Sequence, residues 1–277
     1  MASGTRVRLV RSVAFSAGHR YWLPDRDAAE NRRLFGPFAS PYNHGHNYRL
    51  EVACEGVVDP ATGMVVNIKE IDDVLDRDVV AVFDGKSIND EIPGFGARPP
   101  TLENLLLDLS GRLKGLPADA RCIELGLWET DDLWATLTMD KDRTMTLTRK
   151  YEFAASHRLH SRQLTEEQNQ AIFGKCNNPA GHGHNYVLEV TVSGQPDPVT
   201  GMMVDLGELD ETVNRLVVDR YDHRHLNEDL PEFRDQVPTS EVIAMEIWSR
   251  LDGQVPGKLH KVRLLETARS AFEVVAP

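Results

Sequence analysis

The sequence contains few cysteines, has no excess of basic residues and lacks a long apolar run, and each shortage excludes a class of protein. Its three cysteines, Cys54, Cys122 and Cys176, are an odd and small number for 277 residues, so we expect reduced thiols and not a disulfide framework. A formal net charge of −12 argues against a general nucleic-acid binder, which needs a basic face. No membrane span is expected, because no apolar run approaches about 18 residues.

No secretion signal is expected either, because residues 1–11 are basic and contain no apolar core. Together with the reduced thiols, this predicts a cytoplasmic protein. Apolar residues make up 41% of the chain and charged residues 27%, which is typical of folded globular domains. The chain is long enough for two such domains.

An internal repeat divides the chain. Residues 15–104 align with residues 153–242 without a gap, at an offset of 138 positions (157 − 19). The turn signature Asp-Pro-x-Thr-Gly recurs in both copies, at residues 59–63 and 197–201. We therefore predict two domains of similar fold, residues 1–139 and residues 140–277.

Each copy has the pattern of an α+β domain. Two strand-like runs, rich in β-branched and aromatic residues, precede the turn signature. Apolar residues at helical spacing follow it, and a second helix is predicted to start at the Pro-Thr-x-Glu sequences of residues 100 and 238. Two further strands close each copy. The order ββ-α-α-ββ predicts an antiparallel sheet with helices on one face.

A histidine pattern in each copy predicts a metal site. His182 and His184 are two positions apart in a predicted strand, so both side chains point to the same face. His157 ends the preceding strand and joins them if the two strands pair. Three neutral imidazoles with an open fourth position are typical of a catalytic zinc site. An isolated pair of strand histidines can arise by chance, but the identical spacing of His19, His44 and His46 in the first copy argues against coincidence.

Three further groups of the second copy carry reactive side chains. Cys176 lies in a polar loop, where a neighbouring lysine and a metal ion would lower the pKa of its thiol, although a free cysteine is also a common small buried residue. Asp222 and His223 form a pair suited to proton transfer near neutral pH, or an ordinary surface loop. Glu266 stands in an apolar strand, where a carboxylate could accept hydrogen bonds from two N–H groups of a heterocycle or could face outward.

Taken together, these motifs resemble the 6-pyruvoyl-tetrahydropterin synthase family, which includes the bacterial 6-carboxytetrahydropterin synthases. The sequence stretches 153–157, 173–186, 222–223, 238–241 and 266–267 fall in the order of that family. The resemblance implies tandem tunnelling-fold (T-fold) domains, a zinc ion in the second half and another in the first, and 7,8-dihydroneopterin triphosphate as substrate.

The resemblance also implies roles for individual residues. Zinc would be held by His157, His182 and His184 in the second half and by His19, His44 and His46 in the first. Glu266 would anchor the pterin ring with Thr239 and Glu241 nearby, Cys176 would be the general base, and Asp222 and His223 would relay protons from a neighbouring subunit. Thr239 and Glu241 also have a plain explanation as helix-capping residues.

The first copy departs from the family pattern at two reactive positions. Phe38 replaces the cysteine, and Gly85 replaces the histidine after Asp84, whereas Glu129 is kept as a pterin anchor. We interpret the first half as a degenerate domain that keeps its metal ligands. Such a domain either binds a ligand without turnover or completes the oligomer.

The predicted function is a zinc-dependent lyase that forms 6-pyruvoyl-tetrahydropterin with elimination of triphosphate. The Cys-Asn-Asn-Pro loop favours this branch. The alternatives are a 6-carboxytetrahydropterin synthase of the queuosine pathway that releases acetaldehyde, a non-catalytic pterin-binding protein, and an aldol cleavage of dihydroneopterin. The expected partners are the small pterin triphosphate and further copies of the chain, with no nucleic acid and no membrane. A trimer of tandem chains, a pseudo-hexamer with three first halves stacked on three second halves, is expected.

Overall fold

A computed structural model describes residues 4–276 of the chain, and these residues form two compact units. The first unit comprises the chain up to Leu147 together with Ser193–Asp205, and the second comprises Thr148–Val192 and the chain from Leu206 onward. The domain boundary predicted after residue 139 stays a prediction. It was drawn from the sequence repeat, whereas the two units are defined by which residues lie close together in space. Among the described residues, no helix is both long and apolar enough to cross a membrane.

The first half begins with two long antiparallel strands, β1 (Arg6–His19) and β2 (His44–Val57), and helix α1 (Ala28–Phe35) lies in their connection. The remaining elements are α2 (Ile68–Leu75), which continues through a π-helical turn (Asp76–Val80) into α3 (Ala81–Phe83), then β3 (Lys86–Ser87), α4 (Ile88–Glu91), α5 (Leu102–Arg112), β4 (Arg121–Thr130) and β5 (Leu133–Thr138). The strands of this half lie in the order β3-β1-β2-β4-β5.

The second half repeats this order of elements. It consists of β6 (Met145–His157), α6 (Glu166–Phe173), β7 (His182–Gly194), α7 (Leu206–Val213) with its π-helical turn (Asn214–Val218), α8 (Asp219–Tyr221), β8 (Arg224–His225), α9 (Leu226–Asp229), α10 (Ser240–Leu251), β9 (Lys258–Thr267) and β10 (Ser270–Val275). Here the strand order is β6-β7-β9-β10, and the short strand β8 pairs in parallel with β6.

The predicted fold class, tandem α+β T-fold domains, is confirmed. Each half has antiparallel strands and helices in the predicted order, and the apolar pattern explains which faces are buried. In β2, Tyr48, Leu50 and Val52 alternate with partly exposed residues and are fully buried, as expected for a strand with one face on the core. In α2, Ile71 and Val74 are buried three positions apart.

The pairing of β1 with β2 positions the histidines. His19 lies opposite His44, and Ala17 lies opposite His46, so the three imidazoles gather at one end of the strand pair. Below them, Phe15 stacks on Tyr48 with ring centroids 5.2 Å apart. The long strand pair therefore supplies both the histidines and the aromatic floor beneath them.

Candidate active site

Three histidines of the second half meet where β6 ends and β7 begins. His157 is the last residue of β6, and His182 and His184 occupy the first and third positions of β7. Ring centroids are 4.6 Å apart for His157 and His182, and 5.0 Å apart for His182 and His184. One nitrogen of each ring lies within 4.8 Å of the others, so the three rings could hold one metal ion.

A backbone contact fixes the orientation of His157. Its Nδ1 donates a hydrogen bond of 2.8 Å to the carbonyl oxygen of Pro238. Because a carbonyl can only accept, the neutral ring carries its proton on Nδ1 and keeps the lone pair of Nε2 available. Burial lowers the pKa of His157 to about 4, so the ring is neutral near pH 7, as a metal ligand must be.

The ring nitrogens of the second half fit a metal ion. The Nε2 atoms of His157 and His182 are 3.2 Å apart, near the separation of about 3.3–3.4 Å expected for two donors that each lie about 2.0–2.1 Å from a tetrahedral zinc ion. The buried Nε2 of His184 has no hydrogen-bond partner among the described residues. Burying an unpaired polar atom is costly, and a cation shared by the three rings removes that cost.

The first half contains a triad of the same shape. Ring centroids are 4.5 Å apart for His19 and His44 and 4.9 Å apart for His44 and His46, each within about 0.1 Å of the corresponding separation in the second half. His19 Nδ1 donates to the carbonyl oxygen of Pro100 over 3.1 Å. Burial lowers the pKa of His19 to about 3 and that of His46 to about 4. Both halves therefore present neutral imidazoles in one arrangement.

A carboxylate closes one side of the second-half triad. Oε1 of Glu266 lies 3.8 Å from Nε2 of His157 and 3.7 Å from Nε2 of His184. Ser240, the first residue of α10, donates a hydrogen bond of 2.8 Å to the same oxygen. The Glu266 side chain is 23% exposed, so N–H groups of a bound ring can reach it. Sequence reasoning missed Ser240, although it stands in the Pro-Thr-Ser-Glu sequence that marked the helix start.

In the first half, the corresponding carboxylate has a different partner. Glu129 lies 3.8 Å from Nε2 of His19, but the serine position is Leu102. The hydroxyl of Tyr21 donates a hydrogen bond to Glu129, and burial, followed by the charge of this carboxylate, raises the pKa of Tyr21 well above its usual value. Leu159 occupies the tyrosine position in the second half. The buried Glu129 is therefore engaged by a side chain of its own domain.

Cys176 lies beside the second-half triad, in the 3₁₀ turn Gly174–Asn177. Its carbonyl oxygen accepts a hydrogen bond of 2.9 Å from the backbone N–H of Leu159, two residues beyond the first histidine ligand. The residue is partly exposed. Burial raises the pKa of Tyr186, the buried tyrosine of β7 two residues beyond His184. In the first half the same turn carries Phe38.

The Asp222–His223 pair occupies a different position in the second half. Nδ1 of His223 lies 2.7 Å from Oδ2 of Asp222, and both residues bind the backbone of Ala154 in β6. A shallow groove beside His223 is lined by residues that include Ser156, His184 and Asn185. Ser156 and Asn185 alternate with His157 and His184 along β6 and β7, so their side chains point to the opposite face of the sheet from those two imidazoles.

His223 adopts an unusual backbone conformation. Its φ of 57° is left-handed, and Arg143 is the other non-glycine residue with positive φ in the described part of the chain. The equivalent residue of the first half is Gly85, with φ of 72°. Both turns make the same contacts, since the N–H of Gly85 donates to Ser16 and the carboxylate of Asp84 accepts from Ser16. His223 therefore carries a side chain at a backbone conformation that favours glycine.

The two remaining predicted site residues lie at the start of α10. Thr239 is its N-cap and accepts a hydrogen bond from the backbone N–H of Val242. Glu241 is exposed in the first turn. The capping explanation therefore accounts for Thr239, and the structure places Ser240, not Glu241, against Glu266.

Comparison with known proteins identifies relatives of both halves. The family model described as 6-pyruvoyl tetrahydropterin synthase matches residues 8–140 and 146–277. The chain is 46% identical over 122 residues to the Homo sapiens protein named 6-pyruvoyl tetrahydrobiopterin synthase, covering 44% of this chain and 84% of the human one. It is 33% identical over 134 residues to the Synechocystis protein named 6-carboxy-5,6,7,8-tetrahydropterin synthase, covering 47% of this chain and 92% of that one.

Among solved structures, that of Caenorhabditis elegans 6-pyruvoyl tetrahydropterin synthase is 40% identical, with a TM-score of 0.47. It covers 48% of this chain and 96% of the nematode chain. Each of these relatives therefore corresponds in length to about one of the two repeats.

Proposed function

Because the chain belongs to the 6-pyruvoyl tetrahydropterin synthase family, we propose that its second half is a zinc-dependent lyase. Its substrate is 7,8-dihydroneopterin triphosphate, and its products are 6-pyruvoyl-tetrahydropterin and triphosphate. The chain is thus an enzyme of the pterin synthase type. The observation that carries the proposal is the position of Cys176 beside the three histidines and Glu266, because this half alone combines metal ligands, a ring anchor and a thiol.

Glu266 recognises the pterin ring. A carboxylate can accept two hydrogen bonds from neighbouring N–H groups of a heterocycle, and such charge-assisted bonds are stronger than neutral ones. Ser240 donates to Oε1 and so holds the carboxylate in one orientation. Oε1 of Glu266 lies 3.7 Å from Nε2 of His184, so a ring held by this carboxylate would lie next to the metal ligands.

His157, His182 and His184 would hold the zinc ion, which supplies Lewis-acid polarisation of the substrate's side-chain hydroxyls when bound. Cys176 accepts a proton from the substrate side chain, because its sulfur is the partly exposed nucleophilic group at this site. Triphosphate then leaves, and the side chain rearranges internally without an external oxidant.

Asp222 and His223 complete the proton transfer in the site of a neighbouring chain. The His223 side chain is 83% exposed and can enter a second molecule. Asp222 keeps its charge, because the backbone N–H of Ala154 and the His223 ring both lower its pKa. A charged Asp222 fixes the tautomer of His223 and leaves Nε2 for exchange of the proton.

The first half does not turn over this substrate. It keeps the three histidines, but Phe38 offers no base and Glu129 is engaged by Tyr21. We propose that it holds a zinc ion and serves the assembly of the chain, for which a trimer of tandem chains is the size expected from the sequence.

The pyruvoyl branch is favoured over the carboxy branch. Identity is 46% to the human relative and 33% to the Synechocystis relative over similar lengths, and the Cys-Asn-Asn-Pro loop points the same way. Analysis of the product tests this choice directly. Release of acetaldehyde from the substrate would show that the carboxy reaction is the correct one.

Replacement of Cys176 tests the catalytic role. In the Cys176→Ala variant, zinc content should equal that of the parent, whereas triphosphate release should fall about 10²–10⁴-fold, the usual effect of losing a general base. Cys122→Ala is the matched control, since Cys122 is also partly exposed but lies in β4 of the first half. Turnover that survives in Cys176→Ala would refute the mechanism, and a parent chain that binds the pterin without turnover would favour a binding protein.

A further inference from the structure

A contact inside the first unit joins the turn of the second repeat to the start of α5. Thr101 donates a hydrogen bond of 2.8 Å to the carbonyl oxygen of Gly201, and Glu103 accepts one of 2.8 Å from the backbone N–H of Met203. The partners are packed closely, because a Cβ atom built on Gly201 would lie 2.0 Å from the Asn104 side chain. All of these residues belong to the first unit.

This contact buries both of its sides. Thr101 and Glu103 are 1% and 4% exposed, and Met202 is 8% exposed. Burial of the Glu103 carboxylate raises its pKa, and its bond to the N–H of Met203 opposes that shift. A buried carboxylate with this partner indicates a specific contact and not a loose surface touch.

The repeat contains the same two surfaces a second time, and each of them keeps exposed residues. The turn surface of the first half consists of Gly63, Met64 and Val65, and Met64 is 45% exposed. No atom of residues 4–276 lies within 4 Å of a Cβ atom built on Gly63, in contrast to Gly201. The helix surface of the second half consists of Thr239 and Glu241 at the start of α10, and Glu241 is exposed.

We propose that the helix surface of one chain binds the turn surface of a second copy of the same chain. By analogy with the buried contact, Thr239 donates to the carbonyl oxygen of Gly63, and Glu241 accepts from the backbone N–H of Val65. The repeat itself indicates that the partner is a second copy of the chain. The turn of the second half already binds the start of α5, and the turn of the first half and the start of α10 are the equivalent pair of surfaces.

Exposed apolar residues of the first half also support a second copy of the chain as the partner. Met64 and Ile68 are 45% and 51% exposed in the first half, whereas their counterparts Met202 and Leu206 are 8% and 6% exposed. Covering Met64 and Ile68 to a similar degree removes apolar area from water and stabilises the assembly. Each chain has one copy of each surface, so the contact is head-to-tail and must close into a ring or continue as a filament.

The contact joins the second half of one chain to the first half of the next. Rings made only of like halves, the arrangement expected from the sequence, contain no such contact. Because Ser240 lies between Thr239 and Glu241 and binds Glu266, the neighbouring turn would also complete the wall of the proposed pterin site. The Asp222–His223 pair must then reach a second-half site through another surface.

Cross-linking two singly substituted chains tests the proposal without measuring activity. Chains carrying Glu241→Cys and chains carrying Val65→Cys are co-expressed and treated with a short bismaleimide. We expect a covalent dimer from the mixture and none from either variant alone or from the parent chain. A mixture that gives no dimer would overturn the proposal, and so would an equal yield of dimer from one variant alone.

Alanine substitution of the two glutamates provides a matched pair. Glu241→Ala should weaken self-association about tenfold to hundredfold in sedimentation or light-scattering titrations, as expected when a charge-assisted hydrogen bond is lost. Glu103→Ala makes the same change at the buried contact and should lower the unfolding midpoint of the chain while leaving the association constant unchanged. An unchanged association constant in Glu241→Ala contradicts the proposal. These readouts stay informative even if the proposed enzymatic reaction is wrong.

Discussion

Replacing His223 by glycine should separate stability from activity. The left-handed backbone at φ 57° costs a residue with a Cβ about 1–2 kcal/mol, whereas glycine adopts it freely at the cost of about 0.5–1 kcal/mol of extra entropy in the unfolded chain. The ring is 83% exposed and pairs with the side chain of Asp222, so little packing is lost. His223→Gly should therefore raise the free energy of unfolding by about 0 to 1.5 kcal/mol.

Turnover of His223→Gly should fall although its stability rises. Loss of a proton-transfer group typically reduces the rate about 10²–10⁴-fold. Urea unfolding followed by circular dichroism measures stability, and release of triphosphate measures turnover. Gly85→His is the matched control, because it adds a side chain at φ 72° and should destabilise the protein by about 0 to 1.5 kcal/mol without a gain in turnover. A clear loss of stability in His223→Gly, or retained turnover, would refute the reasoning.

Three further predictions concern the metal and ring sites. The parent chain should bind two zinc ions, and the His157→Ala and His19→Ala variants should each bind one, as measured by elemental analysis. Only His157→Ala should lose turnover in a rate assay. Glu266→Gln should raise the KM about tenfold to hundredfold through loss of a charge-assisted bond, whereas equal effects of Glu266→Gln and Glu129→Gln would contradict a single working site. Removal of zinc by a chelator should lower the unfolding midpoint, because binding stabilises the folded state; an unchanged midpoint argues against bound metal.

Most of the fold was predictable, because the long strands and amphipathic helices bury residues at regular spacing. Helices α1 and α6 were missed, since each has only eight residues, many of them polar. A local signal was present in both: Asp27 with Glu30 and Thr165 with Gln168 form capping boxes, and this pattern marks a helix start even without an apolar face.

The histidines of the candidate site were predictable because strand alternation alone brings an HxH pair together. The partners of the two glutamates were not. Ser240 contacts Glu266 across 26 positions and Tyr21 contacts Glu129 across 108 (129 − 21), and no local pattern encodes such distances. Alignment of the two copies does reveal that the partner residues differ, since Leu102 stands at the position of Ser240 and Leu159 at the position of Tyr21.

We expect the hydrogen bond from His157 to Pro238 to couple the two proposed binding events, that of the metal and that of the pterin. Pro238 is followed within two residues by Ser240, which orients Glu266, so only a short stretch of backbone separates the metal ligand from the ring anchor. If metal binding restrains His157, it also restrains this stretch, and the affinity for a pterin rises. Linkage is reciprocal, so a bound pterin should strengthen metal binding by the same free energy. We therefore expect the enzyme to retain its metal most tightly while it is at work.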